Sequence, residues 1–175
     1  MSRPTPPEPA KLVTGLFTPD KSLFEPVAAA LEGAFGPADY ISKWLAFDFT
    51  EYYTPEMGTP LFRRFISFKQ LIEQDRLPTI KHFTNGLEAE YKRGGQRRVN
   101  IDPGYLLASR FVLATGKNFA HRIYIGRNIY ADLTLTYRNG AFQTLPWTYP
   151  DYADRSILIF LEKVRNKYIL DKNRI

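Results

Sequence analysis

The order of apolar and polar positions predicts strands and helices that alternate in the first half of the chain. Residues 11–17 form a short apolar run that ends in a Thr-Pro-Asp turn, which is typical of a buried strand. Residues 23–35 then carry apolar side chains at helical spacing. The aromatic-rich segment 39–49 and the alternating segment 61–68 predict two more strands, joined by a long loop.

A second helix and a short strand complete this first half. The helical stripe covers residues 77–91, with Gly94-Gly95 interpreted as its stop, and the strand covers 98–101. Strand, helix, strand, strand, helix, strand is the order of the ferredoxin-like split βαβ arrangement, in which helices cover one face of an antiparallel sheet. The predicted fold class is therefore α+β.

The second half is predicted to extend this sheet with an antiparallel meander and to end in a helix. Residues 105–114 suit a helix, and residues 121–125 and 129–137 suit two strands around a turn. Asn139-Gly140 indicates a tight hairpin into a strand at 141–145. A final helix begins after Asp151 or Asp154, and its apolar stripe is Ile157, Phe160, Leu161, Val164 and Tyr168.

Length and composition indicate one globular domain over residues 1–175, with a proline-rich extended arm at 1–9. No apolar run is long enough to span a bilayer, and the N-terminus lacks the apolar core of a secretory signal, so we expect a cytoplasmic protein without a membrane partner. The sequence contains no cysteine, which excludes disulfides, thiolate catalysis and cysteine-ligated metal sites.

The formal net charge of +6 favours an anionic partner, such as a phosphorylated small molecule or nucleic acid. Simple solubility is the alternative, because the basic residues are scattered through the chain in short clusters.

The stretch 97–105 allows a structural and a functional interpretation. Asp102 would accept hydrogen bonds from the first amides of a helix, and Pro103 would occupy the first helical position. In the functional interpretation, Asn100 and Asp102 lie at a strand end, where Arg97 or Arg98 would hold an anionic group.

The sequence contains only two histidines, which excludes a multi-histidine metal site. Magnesium is an alternative if Asp48, Asp102 and Asp132 converge from three strand regions, although carboxylates at sheet edges are more often solvated. Histidine is the side chain best suited to general acid–base chemistry near neutral pH, so His121 is a candidate for that role, and it also suits a structural role beside Arg122.

Known nucleotide and phosphate motifs do not occur. His82-Phe83-Thr84 matches the His-x-Thr spacing of two-histidine phosphoesterases, but the second copy that this mechanism needs is absent. Neither a Walker-type loop nor a Rossmann fingerprint is present, so no motif supports nucleotide binding, and the sequence leaves any cofactor unknown.

Two segments rich in aromatic and polar residues, 48–53 and 145–152, fall outside the predicted helices and strands. Tyr52 and Trp147 in such loops suit ligand stacking, and packing of the loops onto the core is an equal alternative.

Separated motifs in one order resemble a prokaryotic family described as a domain of unknown function, DUF4416. They are FDFTEYY at 47–53, EMG at 56–58, RRF at 63–65, TN at 84–85, RVNIDPGY at 98–105, AHRIY at 120–124 and LPWTYPDY at 145–152. The resemblance covers nearly the whole chain and implies a small single-domain protein. It implies no activity, cofactor or catalytic residue.

The leading hypothesis from the sequence is a protein that binds a small anionic ligand bearing phosphate. Whether the protein also catalyses a reaction of this ligand is left open by the sequence. Arg64 and Arg98 are predicted anion clamps. The predicted polar or acid–base groups are Asp48, Asp102 and His121, and the further ligand-binding residues are Tyr52, Asn85, Asn100 and Trp147. The alternatives are a nucleic-acid-binding module, although its aromatic-rich signature is absent, and a protein-interaction scaffold.

Overall fold

An antiparallel sheet of nine strands forms the centre of the protein in the computed structural model, which describes residues 3–173. The strands are β1 Ala10–Thr18, β2 Ala38–Ile41, β3 Leu45–Ala46, β4 Phe62–Ile72, β5 Asn100–Leu107, β6 Arg110–Thr115, β7 Arg122–Gly126, β8 Ile129–Arg138 and β9 Ala141–Thr144. The α-helices are α1 Phe24–Phe35, α2 Thr54–Met57, α3 Leu77–Glu90 and α4 Arg155–Lys172. The order in the sheet is β2-β4-β1-β5-β6-β8-β7, with β3 beside β4 and β9 beside β8.

Helices cover both faces of the sheet around β1. On one face, the guanidinium of Arg64 in β4 lies 4.4 Å from the ring centre of Phe24 in α1. Phe35 of α1 contacts Phe83 of α3 with ring centres 5.2 Å apart, so α1 and α3 share this face. On the opposite face, Lys11 of β1 forms an ion pair with Asp171 of α4. We call the two sides the α1/α3 face and the α4 face.

Burial on both faces explains the sequence of β1. All nine of its residues are buried, and they read as an almost continuous apolar run. Gly15 lies at the centre of the α4 face, where a Cβ atom would come within 2.8 Å of Arg63 Nη2 and 2.9 Å of Phe65 Cε1. The missing side chain therefore makes room for Arg63.

Several elements agree with the sequence predictions. Helices α1, α3 and α4 lie where the apolar stripes predicted them, and Asp154 caps α4 by accepting a hydrogen bond from the Ser156 amide. Asn139 and Gly140 both have positive φ in the predicted tight turn between β8 and β9. The α+β class is confirmed.

The helix predicted at 105–114 is wrong, because this segment forms the end of β5, a turn and β6. Both strands are buried on two sides, and their apolar residues at 105–108 and 111–114 have no period that separates a strand from a helix. The predicted capping role of Asp102 is wrong for the same reason. Asp102 and Pro103 lie inside β5, paired with Gly15 and Thr14 of β1.

Smaller differences between the prediction and the structure concern the bounds of individual elements. The segment 39–49 contains two short strands, β2 and β3, both paired with β4. Helix α3 ends at Glu90, before Gly94-Gly95, which form a separate turn. Within the predicted arm at 1–9, residues 3–9 have no helix or strand, and Met1 and Ser2 lie outside the described residues.

Among residues 3–173, no helix combines the length and the apolar character needed to cross a membrane.

Candidate functional site

A turn between α3 and β5 brings arginine side chains together. Gly94 and Gly95 have φ angles of 58° and 79°, a conformation that favours glycine, and they occupy the two central positions of the turn. Arg93 and Gln96 close it through two backbone hydrogen bonds, each 3.0 Å long. The turn therefore places Arg93 next to the chain segment that carries Arg97.

This turn forms one wall of a cavity of about 350 Å³, which we call the cationic cavity. Its lining residues are Pro19, Glu56, Met57, Arg93, Gln96, Arg97 and Arg98. Three guanidinium groups and one carboxylate therefore surround the space. The lining comes from the residue after β1, from helix α2 and from the segment between α3 and β5.

Hydrogen bonds hold two of the three arginines in place. Arg97 donates to both carboxylate oxygens of Glu56, at 3.1 and 2.6 Å, and Arg98 donates to Asp20 at 2.7 Å. The hydrogen bond from Arg97 lowers the pKa of Glu56 below its ordinary value, so Glu56 is charged at neutral pH. Within residues 3–173, Arg93 has no acidic partner within ion-pair distance.

A polar chain along β5 supports Arg97 from behind. Arg97 donates to the Asn100 amide oxygen at 2.8 Å, and the Asn100 amide nitrogen donates to Asp102 at 2.9 Å. Asn100 and Asp102 are two positions apart on a strand, so both side chains lie on the α4 face. Burial, aided by the negative charge of Asp102, raises the pKa of the adjacent Tyr53 to about 12. Tyr53 is therefore neutral at physiological pH.

Arg63 of β4 lies on the same face and is almost completely buried, with 2% of its surface exposed. Its guanidinium carbon lies 4.7–5.8 Å from four aromatic ring centres, those of Phe17, Phe47, Phe65 and Tyr152. Stacking on aromatic faces is favourable for guanidinium because of its planar, delocalised charge.

The charge of Arg63 is balanced by residues from the segment before α4. One guanidinium nitrogen donates to Asp151, and another donates to the Tyr152 hydroxyl at 2.8 Å. Asp102 lies 3.8 Å away and adds a second carboxylate. These contacts fasten the segment 145–152 to the α4 face, so this part of the site depends on a buried ion pair.

A second polar cluster surrounds Asp132 of β8. This buried carboxylate accepts a hydrogen bond from Arg122 at 3.0 Å, and His121 Nε2 lies 3.2 Å from the same oxygen. The imidazole stacks on Trp147 with ring centres 5.0 Å apart and an angle of 12°. Trp147 in turn donates to the Leu133 carbonyl at 2.8 Å. The carboxylate and the indole therefore fix the orientation of the imidazole.

Lys117, in the loop after β6, links this second cluster to the cationic cavity. Its ammonium donates to the Tyr52 hydroxyl at 3.1 Å, and its carbonyl accepts from Arg122 at 3.0 Å. Tyr52 packs edge-on against Tyr53, with ring centres 4.9 Å apart.

The structure brings some of the residues selected from the sequence together and separates others. Asn100 and Asp102 adjoin the cationic cavity, and Arg98 lines it. His121 and Trp147 form one stack, and Tyr52 lies between the two groups.

Three selected residues lie elsewhere. Arg64 points to the α1/α3 face, where it contacts Phe24 and Trp44. Asn85 is exposed on α3. Asp48 is exposed and lines a separate cavity of about 190 Å³ that also includes Arg63. No cluster of three or more carboxylate or imidazole groups suited to a metal ion occurs among residues 3–173, so Asp48, Asp102 and Asp132 do not converge.

Sequence reasoning missed Arg93, Glu56, Arg63 and Asp151. A Gly-Gly pair between two polar residues is a signal for a tight turn, and this signal would have placed Arg93 beside Arg97. The ion pair between Arg63 and Asp151 joins positions 88 residues apart, and no local pattern predicts it.

Comparison with known proteins gives a family. No curated protein and no solved structure matches the chain. The family model described as Domain of unknown function (DUF4416) matches residues 8–168, nearly the whole sequence. The protein therefore belongs to the DUF4416 family.

Proposed function

We propose that the protein binds a small anionic ligand in the cationic cavity. The observation that carries the proposal is the lining itself, in which Arg93, Arg97 and Arg98 face one carboxylate, Glu56, while Asp20 and Glu88 pair with Arg98 and Arg97 from outside the lining. A volume of about 350 Å³ falls in the range of small-molecule sites. Guanidinium groups match phosphate and carboxylate geometry with paired hydrogen bonds, so phosphate-bearing ligands are the favoured class.

The contacts of the three arginines support different roles. Arg97 is oriented by Glu56 and Asn100, which reduces the conformational entropy that binding would cost. Arg93 has no ion-pair partner among residues 3–173 and can contribute its whole charge to a ligand. Glu56 repels an anion and competes with it for the hydrogen bonds of Arg97. The affinity for an anion is therefore lower than it would be without this carboxylate.

Isothermal titration calorimetry with pyrophosphate tests the proposal. The wild type should bind at low salt, and Arg93→Ala should weaken binding by about tenfold or more, because one charge-assisted hydrogen bond contributes about 1.5–3 kcal/mol. Arg138→Ala is the matched control, because Arg138 is exposed at the β8–β9 turn and the substitution removes the same charge.

Absence of any heat of binding to the wild type would refute the proposal. Equal weakening in Arg93→Ala and Arg138→Ala would also count against it, since net charge alone would then explain the affinity.

For the fold, we propose that the N-terminal portion follows the ferredoxin-like split βαβ arrangement. The order β2-β4-β1-β5, the antiparallel pairing of these strands and the position of α1 and α3 on one face support it. An experimental structure would contradict this assignment if β5 paired with a strand other than β1 on that side.

A further inference from the structure

A tyrosine pair connects the cationic cavity to an exposed aromatic ring. The Arg97 guanidinium carbon lies 5.6 Å from the ring centre of Tyr53. The ring of Tyr53 in turn contacts Tyr52, whose ring centre is 4.9 Å from its own. Tyr52 is 65% exposed, so a planar group can reach its ring. Arg97, the half-buried ring of Tyr53 and the exposed ring of Tyr52 therefore lie in succession. The span from the guanidinium of Arg97 to the ring of Tyr52 is comparable to the length of one nucleotide.

The exposed ring is held in position by a cation. Lys117 donates to the Tyr52 hydroxyl at 3.1 Å, and its ammonium lies 4.7 Å from the ring centre. The hydrogen bond from Lys117 lowers the pKa of Tyr52, and the charge of Arg97 acts in the same direction. Two positive groups therefore act on Tyr52, Lys117 in direct contact and Arg97 from the cationic cavity. A ligand that combines negative charge with an aromatic ring complements both features.

We infer that the anionic ligand is a nucleotide whose phosphate occupies the cationic cavity and whose base stacks on Tyr52. This inference rests on the proposed function and adds the class of the ligand. A sugar phosphate would use the arginines alone and leave the Tyr52 ring in water. Stacking of a base on an aromatic side chain tolerates different bases, so the ring favours nucleotides as a class.

The test compares ligands that share the phosphate and differ in the ring. Titration calorimetry measures AMP, GMP, CMP, UMP, ribose 5-phosphate and pyrophosphate against the wild type, Tyr52→Leu and the control Tyr124→Leu. Tyr124 is likewise an exposed tyrosine, on β7. The wild type and Tyr124→Leu should bind at least one mononucleotide about tenfold more tightly than ribose 5-phosphate. Tyr52→Leu should lose this preference and keep the affinity for pyrophosphate.

The outcomes separate the inference from the proposed function. If pyrophosphate binds but no mononucleotide binds more tightly than ribose 5-phosphate, the inference is overturned and the anion site stands. If the mononucleotide preference survives in Tyr52→Leu, the base does not stack on this ring and the inference fails. If no phosphate compound binds the wild type, both fail. A single-stranded oligonucleotide is titrated in the same way, and if it binds far more tightly than every mononucleotide, the small-nucleotide class is overturned in favour of strand binding.

Discussion

The buried ion pair between Arg63 and Asp151 makes a strong prediction about stability. Arg63 is 2% exposed and Asp151 5%, so neither charge can be solvated if its partner is removed. Asp151→Asn keeps the size of the side chain and removes the negative charge. Asp102, at 3.8 Å, is the next carboxylate near Arg63, and it lies beyond hydrogen-bond distance.

The magnitude follows from this burial. Removal of one partner of a buried ion pair costs about 3–5 kcal/mol, because an uncompensated charge remains. The asparagine oxygen still accepts one hydrogen bond from the guanidinium, which places the expected loss near the lower limit of about 3 kcal/mol. A domain of this size loses about 2–4 °C of Tm per kcal/mol, so the Tm should fall by about 6–12 °C.

Urea denaturation followed by circular dichroism measures the effect. Asp154→Asn is the matched control, since asparagine also caps a helix well and Asp154 lies three positions further along the chain. The control should change the free energy of unfolding by less than about 0.5 kcal/mol. The double variant Arg63→Met with Asp151→Asn should lose less free energy of unfolding than the two single variants lose together, because it leaves neither charge unpaired. A loss below about 1 kcal/mol in Asp151→Asn would refute the role assigned to this ion pair.

Three further predictions concern the packing of β1, the buried carboxylate of α3 and the cationic cavity. Gly15→Ala should cost about 1–3 kcal/mol by urea denaturation, because its Cβ would meet Arg63 and Phe65, whereas Gly86→Ala on α3 meets nothing within 4 Å and should not destabilise. Burial raises the pKa of Glu88, so the stability it contributes is present below its unfolded pKa near 4.5 and is lost as the pH rises through the folded value. The free energy of unfolding of Glu88→Gln minus that of the wild type should therefore increase from pH 4 to pH 7. An equal difference at the two pH values, measured by urea denaturation, would contradict this. Glu56→Gln should bind pyrophosphate up to about tenfold more tightly in calorimetry, because Arg97 loses its competing carboxylate, and unchanged affinity would show that Arg97 does not bind the anion.

Helices that bury one side were predictable from the sequence, whereas for elements buried on two sides the prediction was correct at β1 and wrong at residues 105–114. In α4 the buried residues Ile157, Leu161 and Val164 are separated by solvated positions. The helical period of 3.6 can therefore be detected in the sequence. The strand residues at 105–107 and 111–114 are apolar on both faces because β5 and β6 lie inside the sheet, and the same spacing fits a helix. Strand burial therefore removed the signal that separates the two structures.

The candidate site was predictable only in part, because its contacts are long-range. The alternation in β4 places Arg63 and Arg64 on opposite faces, but it does not indicate which of them is buried. A charged residue is ordinarily predicted to be exposed to solvent. Only the pairing with Asp151 and the contacts with four aromatic rings make the burial of Arg63 favourable. The sequence did single out Asn100 and Asp102, whose side chains are joined by a hydrogen bond on β5 next to the cationic cavity.

A crystal structure of the protein with pyrophosphate tests the central claim most directly. The anion-site account predicts phosphate oxygens within hydrogen-bond distance of Arg93 and Arg97, inside the cationic cavity. Pyrophosphate bound instead beside Arg64 on the α1/α3 face, or beside His121 with the cationic cavity empty, would contradict it.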